Sequence, residues 1–173
     1  MKKAIIIYGV IAGAVVSGML VITIPLYERG ILDLGSGELV GYTTMIIALS
    51  MIFFGIKTHR DHYLGGGISF GQGFKTGILI TLIASLIYVA VWEVCYHTIA
   101  KNFTDLMAGY YLENVKESGA SETELANATR EMETFKQTYN NPFIRMGYTF
   151  IEIFPVGFII TLLSAAILRK KVN

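Results

Sequence analysis

Ile144 to Leu168 reads IRMGYTFIEIFPVGFIITLLSAAIL and runs into the basic tail Arg169-Lys170-Lys171. As a helix rising about 1.5 Å per residue, this run is long enough to cross the roughly 30 Å hydrocarbon core of a bilayer. It carries one carboxylate, Glu152, three residues before Pro155. An ionisable group inside a membrane span is costly and marks a functional candidate. Pro155 lacks an N–H and crowds the carbonyl of Ile151, which predicts a kink beside Glu152.

Working outward, three further runs have the same character. Ala4 to Leu26 is free of charge and follows Met1-Lys2-Lys3; it has neither the short apolar core nor the cleavage site of a signal peptide, so it reads as an uncleaved first span. Val40 to Ile56 is the second, with Tyr42 and Lys57 as interface anchors. Thr76 to about Tyr96 is the third, with Trp92 and Tyr96 as belt aromatics and Glu93 as the second intramembrane acid. Spans of about 4–26, 40–56, 76–96 and 144–168, with a helical hairpin at about 98–140, make residues 1–173 a single integral membrane domain. The predicted fold class is therefore all-α: a four-helix membrane bundle with an extracytoplasmic hairpin between its third and fourth spans. Only 16% of the residues are charged, against about 25% in a soluble domain. A net charge of +1 gives no global field suited to nucleic acid. The single cysteine, Cys95, excludes an intrachain disulfide.

Basic residues in short loops mark the cytoplasmic side. With both termini inside, the inner pieces hold Lys2, Lys3, Lys57, Arg60, Lys75, Arg169, Lys170 and Lys171 against one acid, Asp61. The outer pieces, 27–39 and 97–145, hold ten acids and six basic residues. The expected location is a bacterial inner membrane, multi-pass, with cytoplasmic N and C termini. Contact of the basic inner loop with anionic lipid headgroups is expected as well.

In the long outer segment, Phe103, Leu106, Met107, Tyr110, Tyr111 and Val115 keep a helical rhythm. Ser118-Gly119-Ala120 breaks it, Ser121-x-x-Glu124 is a capping box, and Leu125, Ala128, Met132, Phe135 and Tyr139 resume at helical spacing. The matched stripes predict an antiparallel hairpin, each arm covering the other. Asn141-Pro142 reads as the cap and first turn of the last helix.

Spans three and four run in opposite directions, which sets Glu93 and Glu152 at similar depth. His97 lies one turn from Glu93, Tyr148 one turn from Glu152, and Arg145 about two turns from it. Glu93, His97, Arg145, Tyr148 and Glu152 thus form a candidate intramembrane polar cluster. One reading makes it architectural, the acids being satisfied by Arg145, His97 and tyrosine hydroxyls. The other has the acids bind a cation or relay protons. The rows Gly9/Gly13 and Gly73/Gly77 are candidate sites of close helix approach. The glycine-rich stretch from Gly65 to Phe74 does not fit the G-x-x-x-x-G-K-[ST] pattern of a phosphate loop, and no strand precedes it. His59, Asp61 and His62 fall short of a four-ligand metal set, so no metal and no cofactor is expected. No serine, cysteine or aspartate stands in a nucleophile motif, so no catalytic residue is named.

Four pieces of the chain carry a family likeness: the lysine-led first span with Tyr8-Gly9 and Gly13, Phe54-Gly-Ile-Lys-Thr-His-Arg-Asp61, Ile68-Ser-Phe-Gly-Gln-Gly-Phe-Lys-Thr-Gly77, and Glu152-Ile-Phe-Pro-Val-Gly157. Together they resemble the bacterial membrane-protein family known as domain of unknown function 4199. That resemblance implies a small multi-span inner-membrane protein and implies no activity. The leading functional expectation is a non-enzymatic protein that assembles, with itself or a membrane partner, through the glycine rows and the outer hairpin. The alternative is a small transporter or ion-coupled carrier using Glu93 and Glu152. Its environment is the lipid bilayer, and no nucleic-acid partner is expected.

Overall fold

The computed structural model describes residues 2–170; Met1 and residues 171–173, with Lys171 of the basic tail, lie outside the described residues. Helix α1 is Lys2–Glu28, α2 Leu34–Leu49, α3 Met51–Tyr63, α4 Phe70–Thr98, α5 Phe103–Glu117, α6 Glu122–Tyr139 and α7 Pro142–Leu168. Helices α2 and α3 continue one another through Ser50, which makes six helical bodies of the described residues. Four of these are long and apolar enough to cross a membrane: Lys2–Glu28, Gly35–Tyr63, Phe70–Thr98 and Pro142–Leu168. Among the described residues there is no strand, only an antiparallel bridge between Ile68 and Lys170 that ties the end of the chain to the turn before α4.

Each start has a local cause. Asp33 accepts from the Ser36 N–H at 2.8 Å and opens α2. The Ser121/Glu124 box opens α6, and Asn141 accepts from the Phe143 N–H at 3.0 Å to open α7 on Pro142. A second box, Ser69 with Gln72, starts α4 at Phe70 rather than Thr76. The expected loop over 58–75 is therefore mostly helix. Its turn shrinks to Leu64–Ser69, where Gly65 and Gly66 take φ of 67° and 91°. Helix α7 runs unbroken through Pro155.

Helix α4 is the central post, packed most extensively on α7 and α1. The glycines explain how it gets so close. A Cβ on Gly9 would sit 2.8 Å from Ile83 Cβ, and one on Gly13 would sit 2.9 Å from Ile87 Cβ. On its other face, a Cβ on Gly77 would sit 2.6 Å from the methyl of Thr161, and Gly73 lies against Ala165. Both glycine rows are thus filled by neighbouring helices of the same chain. The close helix approach expected at these rows is made within one chain.

What these helices turn outward is apolar. Ile6, Ile7, Val10 and Ile22 on α1, Ile46 and Ile47 on α2, Leu86 and Val94 on α4, and Ile159, Leu163 and Ile167 on α7 are all exposed. A soluble protein rarely shows so continuous an apolar surface; in lipid it is the solvated one. The chain is a multi-pass helical membrane protein.

The hairpin differs from expectation in what its arms cover. Helix α6 lays Leu125, Ala128 and Phe135 inward, and Lys136 pairs with Asp105 of α5. The stripe of α5, with Phe103, Leu106, Met107 and Tyr110, faces the open end of the bundle between α1 and α2. Tyr110 reaches the first turn of α2, where a Cβ on Gly35 would be 2.8 Å from its hydroxyl. One arm roofs the bundle and the other braces the roof.

Candidate functional site

The five polar residues grouped by sequence separate into two places, both at the hairpin end of the bundle. The first is a sealed ion pair. Arg145, one turn into α7, is 1% exposed. Its Nε donates to Glu93 Oε1 at 2.8 Å and its Nη2 to Glu93 Oε2 at 2.6 Å, a bidentate fork. Nη1 donates to the Tyr139 carbonyl at 3.1 Å, and the guanidinium lies 3.9 Å over the Tyr96 ring. Nη2 also lies 3.3 Å from His97 Nε2, which accepts only as a neutral imidazole because guanidinium has donors alone. Both Glu93 oxygens are engaged. The cluster locks the starts of α7 and the ends of α4 and α6 together, and it offers no vacant acceptor to a ligand.

Trp92 belongs to the same joint. It was expected at the lipid interface, yet it is 5% exposed, with Phe103 edge-on at 4.7 Å and its Nε1 donating to the Tyr139 hydroxyl at 3.0 Å. Burial pushes the Tyr139 hydroxyl up to about 12, so it stays a neutral acceptor for the indole. Tyr148 is half-exposed and meets the rings of Tyr139 and Phe135; among the described residues it makes no hydrogen bond to either acid.

The second place is a cavity of about 340 Å³, and Glu152 belongs to it. It lies between α1, α2, α4 and α7 beneath α5, from the level of Glu152, Tyr88 and Met45 to a rim of Glu28, Glu38, Tyr27 and Tyr110. Its walls are chiefly apolar: Val16, Met19, Leu20 and Ile24 on one side, Leu106 and Met107 above. Glu152 is accessible and has one protein partner among the described residues, the Tyr88 hydroxyl, donating at a long 3.4 Å. No Lys, Arg or His among the described residues pairs with it. Among the described residues, three acids and no base line the cavity. Pro155 lies one turn further into the bundle and lines neither place.

Several lining residues escaped the sequence reading. Tyr42, an interface anchor by its position in the sequence, lines the cavity instead. Tyr88, which no sequence motif marks, sits four residues before Trp92 and three after Ser85, on the buried face of α4. That one-turn spacing along a single face was the available signal. His59 is buried, with Nδ1 2.7 Å from the Thr76 hydroxyl, so it serves the α3–α4 contact.

Among families, the one described as Protein of unknown function (DUF4199) matches residues 7–170. Comparison with curated proteins and with solved structures found no match in either.

Proposed function

We propose that this chain, which belongs to the DUF4199 family, is a non-enzymatic membrane protein whose working part is the cavity around Glu152. The reading places it in a bacterial inner membrane with both termini cytoplasmic and the hairpin outside. The basic residues of the described inner pieces, Lys57, Arg60, Lys75, Arg169 and Lys170, support that threading. They also suit contact with anionic headgroups on the inner leaflet.

One observation carries the proposal: a carboxylate with a single long hydrogen bond sits at the floor of an open pocket within a membrane-spanning helix. Such a group is expensive where water is scarce. The Glu93–Arg145 pair, about two turns nearer the hairpin end, illustrates the structural solution, with every oxygen satisfied. Glu152 lacks that solution and faces space instead. A concave, mostly apolar pocket with one convergent polar group is the usual form of a small-molecule site. Of the two functions expected from sequence, the small transporter or ion-coupled carrier is the one that gains support from this pocket, resting on Glu152 without Glu93. Assembly through glycine rows loses it, because those rows are filled within the chain.

The test is access. In a Cys95→Ala background, a cysteine at Thr44, on the cavity wall, reacts with a membrane-impermeant thiol reagent added outside. A cysteine at Ile47, on the lipid-facing side of α2, does not. Protection of both positions, or labelling only from inside, sinks the reading.

A further inference from the structure

We infer that the cavity takes an organic ammonium cation with an apolar body, drawn from the outer aqueous phase; this rests on the reading of the cavity as a ligand site. Charge is the first reason. Glu152 lies at the floor and Glu28 and Glu38 at the rim, with no basic side chain among the described lining residues to receive an anion. A carboxylate or phosphate entering past those acids meets like charge at each level, and in a low-dielectric pocket that repulsion is weakly screened.

The walls are the second reason. Tyr88 holds one oxygen of Glu152 through a single long bond and leaves the other carboxylate oxygen free to face an ammonium charge. Tyr42 and Trp92 line the same cavity, and aromatic faces attract ammonium groups where water is excluded. The rest of the lining includes methionine and leucine, Met19, Met45, Leu106 and Met107, adaptable apolar surface that an alkyl or aryl body would cover.

An inorganic cation fits poorly. Among the described residues there is no group of three or more His, Cys, Asp or Glu side chains able to hold a metal ion. Hard cations such as calcium want about six to eight oxygens, and this pocket converges one carboxylate on apolar walls. The size, about 340 Å³, is at the small end of the range for small-molecule sites.

The experiment uses the full chain in nanodiscs, with the Thr44→Cys, Cys95→Ala protein and the impermeant thiol reagent. Hexylammonium and benzyltrimethylammonium are added, with hexanoate and hexanol as matched controls. Both cations are expected to slow labelling by about tenfold at saturation, as a ligand that occludes the wall would. Hexanoate and hexanol leave the rate unchanged, and Glu152→Gln abolishes protection while the cysteine still labels. Protection by hexanoate as strong as by hexylammonium overturns the assignment. So does protection that survives Glu152→Gln, or slowing that appears only when phosphatidylethanolamine is added, which gives the pocket to a lipid headgroup. Labelling with no protection by either cation also overturns it and leaves the cavity standing as a site for something else. Failure of Thr44→Cys to label at all is the separate result that removes the cavity reading beneath it.

Discussion

Glu93 and Glu152 are the same side chain on neighbouring helices, not at the similar depth expected from sequence: Glu93 is level with Arg145 and Glu152 lies about two turns deeper, level with Tyr88. Their surroundings make them opposites. Glu93 has two charged hydrogen bonds from a buried guanidinium; Glu152 has one long bond from a phenol. Removing one partner of a buried ion pair strands the other charge and typically costs about 3–5 kcal/mol, whereas replacing both with apolar groups of similar volume is often near neutral. Arg145→Met and Glu93→Leu should therefore each lower the thermal unfolding midpoint in detergent strongly. The double variant should recover most of the loss. Glu152→Gln should leave the midpoint unchanged or raise it, since no cation is stranded by the change. If Glu152→Gln proves as damaging as Arg145→Met, the cavity acid has a structural partner and the functional proposal fails. Sequence spacing brought Arg145 and His97 within reach of both acids. Which acid Arg145 chose depended on how α7 is rotated against α4, and spacing along one helix carries no information on that rotation.

At the level of elements, glycines separate into those that permit contact and those that meet open space. Gly77→Val pushes a branched side chain into Thr161 across the α4–α7 contact, and overpacking of this kind costs about 1–3 kcal/mol. Gly109, in the middle of α5, meets nothing within 4 Å, so Gly109→Ala should stabilise by about 0.4–1 kcal/mol through the unfolded chain. Denaturation in mixed micelles would distinguish the two; equal effects would refute the tight seam. The hairpin has its own pH signature. Hydrogen bonds from the backbone and side chain of Ser121 hold the Glu124 carboxyl below its usual 4.5. A depressed folded value means the stabilisation is present above about pH 4.5 and is lost as pH falls through the folded value. Helix α6 should loosen in that acid range, as amide exchange would report, and Ser121→Ala should weaken the dependence without removing it, because the backbone N–H of residue 121 still donates to Glu124. The Ser121-x-x-Glu124 box was readable because an apolar stripe followed it at once. The equivalent Ser69-x-x-Gln72 box went unread because three glycines and the basic residues nearby suggested a loop. Local capping prevailed there, extending α4 by six residues from Thr76 back to Phe70.

For the whole molecule, the apolar exterior of four helices and the polar joint at one end fix a bundle that needs lipid around it. Reporters fused before Lys2 and after Asn173 are expected to register the same, cytoplasmic, side, and one placed at the Gly119 turn the opposite side. A split result would overturn the proposed threading. The chain by itself determined the number of spans, the place of the hairpin and the caps of α6 and α7. These follow from run length, helical periodicity and short-range hydrogen bonding, all of which act between near neighbours. Only the tertiary structure decided that Glu93 is sealed and Glu152 open, that the glycine rows are used up inside one copy, and that α5 roofs a cavity rather than merely covering α6. Those outcomes depend on the rotation and separation of helices distant in sequence, where a few side-chain volumes and one guanidinium determine which faces meet.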